Sequence, residues 1–135
     1  MILAGSVDTN VLVRLVTQDD EQQAHVVDRL LGRHAKNGEL LFVPITVVLE
    51  LEWVLRFKCK QTKADFIGVM SALLTMVEFS FESEGALEQA LVDYDEGSAD
   101  FGEYIHLALS RAGKALPFWT FDRKAAKAQG AEILR

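Results

Sequence analysis

The sequence predicts an α/β domain in which helices cover both faces of a mostly parallel sheet, giving three layers. Short apolar segments alternate along the chain with longer segments of helical periodicity, as in parallel α/β folds. The first strand candidate, Ile2–Val7, is almost continuously apolar, which is typical of strands buried on both faces. The connections are short, and a chain of 135 residues suits one domain with its own core. We therefore predict a single domain over residues 1–135 with four or five strands.

Five apolar segments are the strand candidates, and the last is short enough for a sheet edge. They are Ile2–Val7, Leu40–Val43, Val77–Phe81, Pro117–Phe121 and Glu132–Leu134. Helix signals fill the intervals. In the first half, Asp8 begins the turn 11–16, and the acidic run 19–21 begins a helix that Asn37-Gly38 ends. Thr46 is expected to cap the next helix, and Thr62 to start the one after it.

The second half continues the alternation. Ser83 begins a helix that Gly97-Ser98 ends. The next helix is predicted over Ala99–Ala112, followed by Gly113, and a short helix over Arg123–Gln129. Several apolar side chains at helical spacing are expected in the core, among them Phe57, Val77 and Ala112.

Charge and cysteine content restrict the function classes. The formal net charge of −6 argues at first against a nucleic-acid partner, since phosphate binders usually have a basic surface. The charge is segregated, however: Glu78–Glu103 has nine acidic residues and no basic one, whereas Arg111–Arg135 has six basic and two acidic residues. Cys59 is the only cysteine, which excludes an internal disulfide or a cysteine-based metal site. With neither a secretory signal nor a membrane-spanning segment evident, we expect a cytoplasmic protein.

Asp8 and Asp122 occupy equivalent positions, each just after an apolar strand and before a helix. Ligands of parallel α/β sheets bind beyond the carboxyl ends of the strands, so these side chains are candidates for such a site. The alternative is that each aspartate only caps its helix.

Glu50 is predicted to lie on a largely apolar helix face, next to Val47, Trp53 and Val54. An ionised carboxylate on such a face is costly unless it is paired or bound to a cation. The alternative is a partly exposed glutamate at the rim of the core. Glu52 lies on another face and is expected to pair with Arg56 as a solvated structural residue.

Asp100 and Glu103 lie one turn apart at the start of a predicted helix, and His106 continues their face. Ser98 can cap this helix, which leaves Asp100 available for another role; capping remains the alternative, and His106 is interpreted as structural. Several converging carboxylates repel one another unless a cation is bound. Oxygen ligands select hard cations such as Mg²⁺ or Mn²⁺, which activate water and stabilise charge on a phosphate. Asp8, Glu50, Asp100 and Asp122 are therefore candidates for a metal-dependent nuclease site.

Four short motifs carry these acids, and together they resemble the motifs of PIN domains in order and spacing over nearly the whole chain. They are Val7–Leu12, Leu49–Leu55, Ala99–Glu103 and Thr120–Asp122. Within that family the chain is most similar to VapC, the toxin of VapBC toxin–antitoxin systems. The resemblance implies a PIN-like α/β/α fold and a Mg²⁺- or Mn²⁺-dependent endoribonuclease acting on structured RNA such as tRNA or rRNA. It also implies a homodimer inhibited by a VapB antitoxin, which alone links the complex to promoter DNA.

Carried over by position, the resemblance makes Asp8, Glu50, Asp100 and Asp122 the metal-binding and catalytic acids. Asn10 and Thr120 match polar residues that support the site. Glu103 is a departure, because the third motif often has aspartate there; the longer side chain can bind metal through water or not at all.

The basic residues suggest where RNA phosphates bind. Arg123 and Lys124 are the strongest candidates because they directly follow Asp122; Arg56–Lys63 is a second basic run. The alternative for both runs is a solvated helix face. Trp53 and Trp119 are expected in the core or at a dimer interface rather than as base-stacking platforms.

Three alternative functions fit the sequence less well. A non-enzymatic interaction module would retain the acidic groove only for binding, and Mg²⁺-dependent cleavage lost on adding EDTA would exclude it. A phosphoacceptor domain needs an aspartate after the third strand, where Ser80–Ser83 stand. A dinucleotide-binding domain needs further glycines after Gly5.

Overall fold

The computed structural model describes residues 2–135 and confirms the α/β class. Its contacts divide the chain into a first unit, residues 1–82, and a second unit, residues 83–135. Five strands are present over the described residues, and every strand pair is parallel. Three strands belong to the first unit and two to the second.

The first unit alternates strands and helices around a three-stranded sheet of order β1-β2-β3. Its elements are β1 (Leu3–Ser6), α1 (Thr9–Thr17), α2 (Glu21–Ala35), β2 (Leu40–Val43), α3 (Ile45–Trp53), α4 (Lys63–Leu74) and β3 (Phe79–Phe81). A π-helical turn, Val54–Lys58, directly continues α3. The β1–β2 register is irregular between Leu3 and Gly5. Gly5 has a φ of 146°, a conformation that residues with a Cβ rarely adopt.

The core of the first unit lies where α1 and α3 pack together beside the sheet. Its most fully buried side chains are large and apolar. They include Leu12, Val43, Val48, Leu51, Leu55, Phe66 and Met70. Burying each such side chain stabilises the fold by roughly 1.5–3 kcal/mol. The predicted start of α4 is confirmed: Thr62 and Asp65 form a reciprocal capping box.

The predicted cap of α3 is wrong. The helix begins at Ile45 with Pro44 as its N-terminal neighbour, and Thr46 lies inside the first turn. Proline has no side-chain acceptor, and Glu82, just after β3, accepts a hydrogen bond from the N–H of Ile45 instead, at 2.8 Å. This cap comes from a residue 37 positions away, so it has no local signature.

The second unit consists of two packed helices followed by a two-stranded ladder. Its elements are α5 (Glu84–Glu96), α6 (Phe101–Ala112), β4 (Phe118–Thr120), a 3₁₀ turn (Ala125–Lys127) and β5 (Ala131–Ile133). The α5–α6 contact is apolar and aromatic: the rings of Tyr94 and Phe101 lie 5.2 Å apart. The helix predicted over Arg123–Gln129 is thus only the short turn, because Gly130 follows with a φ of 95° and β5 begins directly after it.

Some expected core positions are wrong as well. Phe57, Val77 and Ala112 are exposed. Phe57 belongs to the π-helical turn, whose altered periodicity rotates side chains away from the face that an α-helix would continue. Val77 lies beyond the end of α4 and before β3 begins. Over residues 2–135, no helix is both long and apolar enough to cross a membrane.

Candidate active site

Asp8 lies at the carboxyl end of β1 and is the N-cap of α1. Its Oδ1 accepts a hydrogen bond from the N–H of Val11 at 3.1 Å, so the predicted capping role is present. That bond occupies one carboxylate oxygen; among residues 2–135, Oδ2 has no hydrogen-bond partner. The side chain is exposed. Capping and metal binding are therefore compatible at Asp8, because a carboxylate has a second oxygen to offer.

Thr9, to which the motif resemblance assigns no site role, links the first two motifs. It is the buried polar residue of the first unit, only 5% exposed, and its hydroxyl donates a hydrogen bond to Oε1 of Glu50. Thr9, on α1, thus contacts Glu50, the acid of the second motif, on α3. The position of Thr9 within the first motif is the one sequence signal for a site role, but its contact with Glu50 is seen only in the packing of α1 against α3.

The burial predicted for Glu50 is wrong. Glu50 is exposed, and so is Trp53, which is 51% exposed. Burial therefore does not penalise this carboxylate. Glu50 remains of interest for its contact with Thr9. Glu52 forms the expected pair with Arg56 at 3.2 Å, although it is more buried than a solvated residue.

The core interpretation of the two tryptophans is also wrong. Trp119 is 55% exposed, and Trp53 lies at the surface beside Phe57, with ring centroids 5.9 Å apart. Lys58 places its Nζ 5.5 Å from the centroid of the Trp53 ring, a cation–π geometry. The residues that follow Glu50 therefore present an exposed aromatic pair with a cation.

In the second unit, the loop before Asp100 packs closely against the Tyr104 hydroxyl. Gly97 lies so close to the Tyr104 hydroxyl that an added Cβ would stand 1.9 Å from it. The same hydroxyl accepts a hydrogen bond from the N–H of Ala99 at 3.0 Å. The backbone of Asp100 then begins α6, but its carboxylate makes no capping bond. This agrees with the expectation that Asp100 is available for another role.

Asp122 is held by its own turn. Its Oδ1 accepts from the N–H groups of Lys124, at 2.7 Å, and Ala125, at 3.0 Å. Its own N–H donates to the Thr120 hydroxyl at 2.9 Å. Thr120 therefore contacts the backbone of Asp122, as a supporting residue would. The backbone bonds fix Oδ1 and leave Oδ2 as the oxygen available to a ligand.

Asp100 and Asp122 line one pocket of about 290 Å³ in the second unit, which we call the acid pocket. Ser98, Ala99, Arg123 and Lys124 complete its lining. Two carboxylates and two cations thus face the same small cavity. Such a set offers hard oxygen ligands to a divalent cation and positive charge to a phosphate.

The other predicted residues take peripheral positions. Glu103 lies in the first turn of α6 and does not line the acid pocket. His106 is exposed, with its ring 6.2 Å from that of Phe118, in keeping with its structural interpretation. Asn10 is exposed on α1. Among residues 2–135, no three His, Cys, Asp or Glu side chains of one unit form a cluster that could hold a metal ion.

The oxygen-rich donors nevertheless fit a hard divalent cation. In Asp8, Asp122 and Asp100, hydrogen bonds occupy at most one carboxylate oxygen. These donors are carboxylate oxygens; the sulfur and imidazole ligands that softer transition metals favour are not among them.

Comparison with known proteins identifies the family of the chain. The family model for the PIN domain matches residues 6–131. A VapC ribonuclease of Aquifex aeolicus (strain VF5) is 26% identical over 94 residues, which cover 70% of this chain and 69% of that protein. PIN domain nucleases are generally dependent on divalent metals. The chain belongs to the PIN domain family and is VapC-like within it.

Proposed function

We propose that the protein is a Mg²⁺- or Mn²⁺-dependent endoribonuclease, the toxin of a VapBC-type toxin–antitoxin pair. The observation that carries the proposal is the acid pocket, where Asp100 and Asp122 face Arg123 and Lys124. The order of the four motifs, the PIN family match and the similarity to a VapC ribonuclease support it. The proposed substrate is a structured cellular RNA, such as tRNA or rRNA.

In this proposal Asp8, Glu50, Asp100 and Asp122 hold the divalent cation. When bound, the cation activates water and offsets negative charge in an in-line displacement at phosphorus. Thr9 orients Glu50 through its hydroxyl, and Thr120 fixes the backbone of Asp122. Arg123 and Lys124 bind phosphates of the substrate. Asn10 and Glu103 support the acids from neighbouring positions.

The proposed protein partners follow from the same acids. Without a bound cation, these carboxylates suit a positively charged segment of a VapB-like antitoxin. The exposed Trp53 and Trp119 are candidates for a homodimer interface. We infer a cytoplasmic protein, where such a toxin meets its RNA and its antitoxin; contact with promoter DNA would run through the antitoxin.

The test is cleavage of total RNA by the purified protein with Mg²⁺ or Mn²⁺, followed by mapping of the new 5′ ends. We expect discrete cleavage that EDTA abolishes and that Asp8→Asn removes with little loss of folding. Asp28→Asn, an exposed aspartate on α2, is the matched control and should cleave like wild type. Wild-type cleavage by Asp8→Asn would refute the site assignment. A folded protein without metal-dependent cleavage would instead favour the rival function, an inactive PIN-like module for binding protein or RNA.

A further inference from the structure

A second pocket of the second unit, of about 700 Å³, is larger than the acid pocket. We call it the basic pocket. Phe121, Arg123, Lys127, Leu134 and Arg135 form most of its lining, with Ala126 and Ile133 behind them. Neither the family motifs nor the proposed metal site uses most of these residues.

The lining combines an unpaired aromatic ring with three cations. Phe121 is 77% exposed, and no other ring in the described part of the chain stacks on it. Arg123, Lys127 and Arg135 bring positive charge, and the lining contains no Asp or Glu side chain. An exposed ring beside clustered cations is complementary to a nucleotide, whose base stacks on aromatic faces and whose phosphates bind arginine and lysine.

The basic pocket adjoins the acid pocket in both sequence and space. Phe121 directly precedes Asp122, and Arg123 lines both cavities. Asp122 donates its N–H to the Thr120 hydroxyl and accepts a hydrogen bond from the N–H of Lys124, and these bonds hold the turn that carries Phe121. A nucleotide in the basic pocket would therefore lie next to a phosphate at Asp122.

We propose that the basic pocket is a subsite for one unpaired nucleotide flanking the cleaved phosphate. Phe121 stacks on the base, while Arg123, Lys127 and Arg135 bind its phosphates. This inference rests on the proposed ribonuclease function and narrows its substrate. A base in a duplex has both faces stacked, so only a nucleotide in a loop, bulge or single strand can occupy the subsite.

Binding and crosslinking test the subsite without cleavage. The probe is a fluorescent single-stranded RNA of about ten nucleotides carrying 5-iodouridine, bound to the full chain with Asp100→Asn to prevent cleavage. We expect Phe121→Ala to weaken binding about tenfold, within the range of base–aromatic stacking. Ultraviolet crosslinks should map to Phe121 and disappear in the variant. Lys127→Ala and Arg135→Ala should each lower the salt dependence of binding by about one phosphate contact.

His106→Ala is the matched control, because His106 carries an exposed aromatic ring in the same unit and does not line the basic pocket. It should change affinity less than twofold. Equal losses in His106→Ala and Phe121→Ala, or unchanged affinity in Phe121→Ala, would overturn the subsite. So would a Phe121→Ala variant that binds RNA normally but loses its antitoxin, since the pocket would then serve a protein.

The same variants separate this inference from the proposed function. If wild type cleaves RNA but Phe121→Ala binds and cleaves normally, the subsite fails and the ribonuclease stands. If wild type binds RNA through Phe121 but never cleaves it, the ribonuclease fails and the subsite stands as a binding site. Absence of any RNA binding overturns both.

Discussion

The two units hold their candidate acids by different means. In the first unit, Glu50 of α3 accepts a hydrogen bond from Thr9, a buried residue of α1. In the second unit, Asp122 is bonded within its own turn, and the Asp100 carboxylate makes no capping bond. An acid held through two packed helices depends on the core, whereas an acid held in a short turn depends on a few neighbouring residues. We therefore expect activity to be separable from stability at Asp100 and Asp122, and coupled to stability at the Thr9–Glu50 contact of the first unit.

The largest expected effect is at Asp100, where we expect activity to change without stability. Asp100→Asn should lower RNA cleavage by more than about 100-fold, since even residues behind metal ligands cost 10- to 100-fold. The unfolding temperature should stay within about 2 °C of wild type, because the substitution removes no hydrogen bond of the described structure. Steady-state cleavage and thermal unfolding measure the two quantities.

Glu103→Gln is the matched control for this prediction, one turn along α6 and outside the acid pocket. It should reduce cleavage less than tenfold. A loss equal to that of Asp100→Asn would make Glu103 a metal ligand. Unfolding of Asp100→Asn well below wild type would show that the second unit does not separate activity from stability.

The order of elements was predictable from the sequence because its signals are local. Apolar runs marked all five strands, and Thr62 marked the start of α4 through its own capping box. The cap of α3 was not predictable, since Glu82 supplies it from the end of another strand. The π-helical turn after α3 was missed too, and it accounts for the exposure of Phe57.

The candidate site shows the same limit. Asp8, Asp100 and Asp122 were found because each stands at a strand end or helix start, positions that sequence patterns mark well. The apolar neighbours of Glu50 predict a buried carboxylate, but it is exposed. The contact that singles it out, with Thr9, arises from the packing of α1 against α3 and has no signature in sequence spacing.

A smaller effect is expected at the Thr9–Glu50 contact, where activity and stability should change together. Thr9→Val removes the hydroxyl that bonds Glu50 while keeping the buried shape, so it should destabilise the fold by about 1 kcal/mol. It should also raise the metal concentration for half-maximal cleavage about tenfold, because Glu50 loses its orienting partner. Chemical denaturation and metal titrations of the cleavage rate measure these changes.

Two threonine variants serve as controls for Thr9→Val. Thr17→Val alters the same helix, where the hydroxyl bonds Val13 O and Asp19 but no candidate acid. Thr75→Val removes a hydroxyl bond to Ala72 O at the end of α4, which involves no candidate acid. Both should leave the metal requirement within about threefold of wild type. A similar rise in all three variants would show that the Thr9–Glu50 bond does not set the metal requirement.

The smallest expected effect concerns acid stability of the first unit. Hydrogen bonds from Thr62, first from its backbone N–H and then involving its side chain, lower the pKa of Asp65. A folded-state pKa below the unfolded value gives stability that is present above the unfolded value, near 3.9, and lost as pH falls through the folded value. Asp65→Asn keeps an acceptor without the charge, so its unfolding temperature should lie slightly below wild type at neutral pH. As the pH falls and wild-type Asp65 becomes protonated, the unfolding temperatures of the two proteins should converge.

The measurement is Trp53 fluorescence in a Trp119→Phe background, which reports on the first unit, and Asp28→Asn controls for lost surface charge. A constant gap between Asp65→Asn and wild type down to about pH 3 would mean that the capping box stabilises α4 through shape rather than charge.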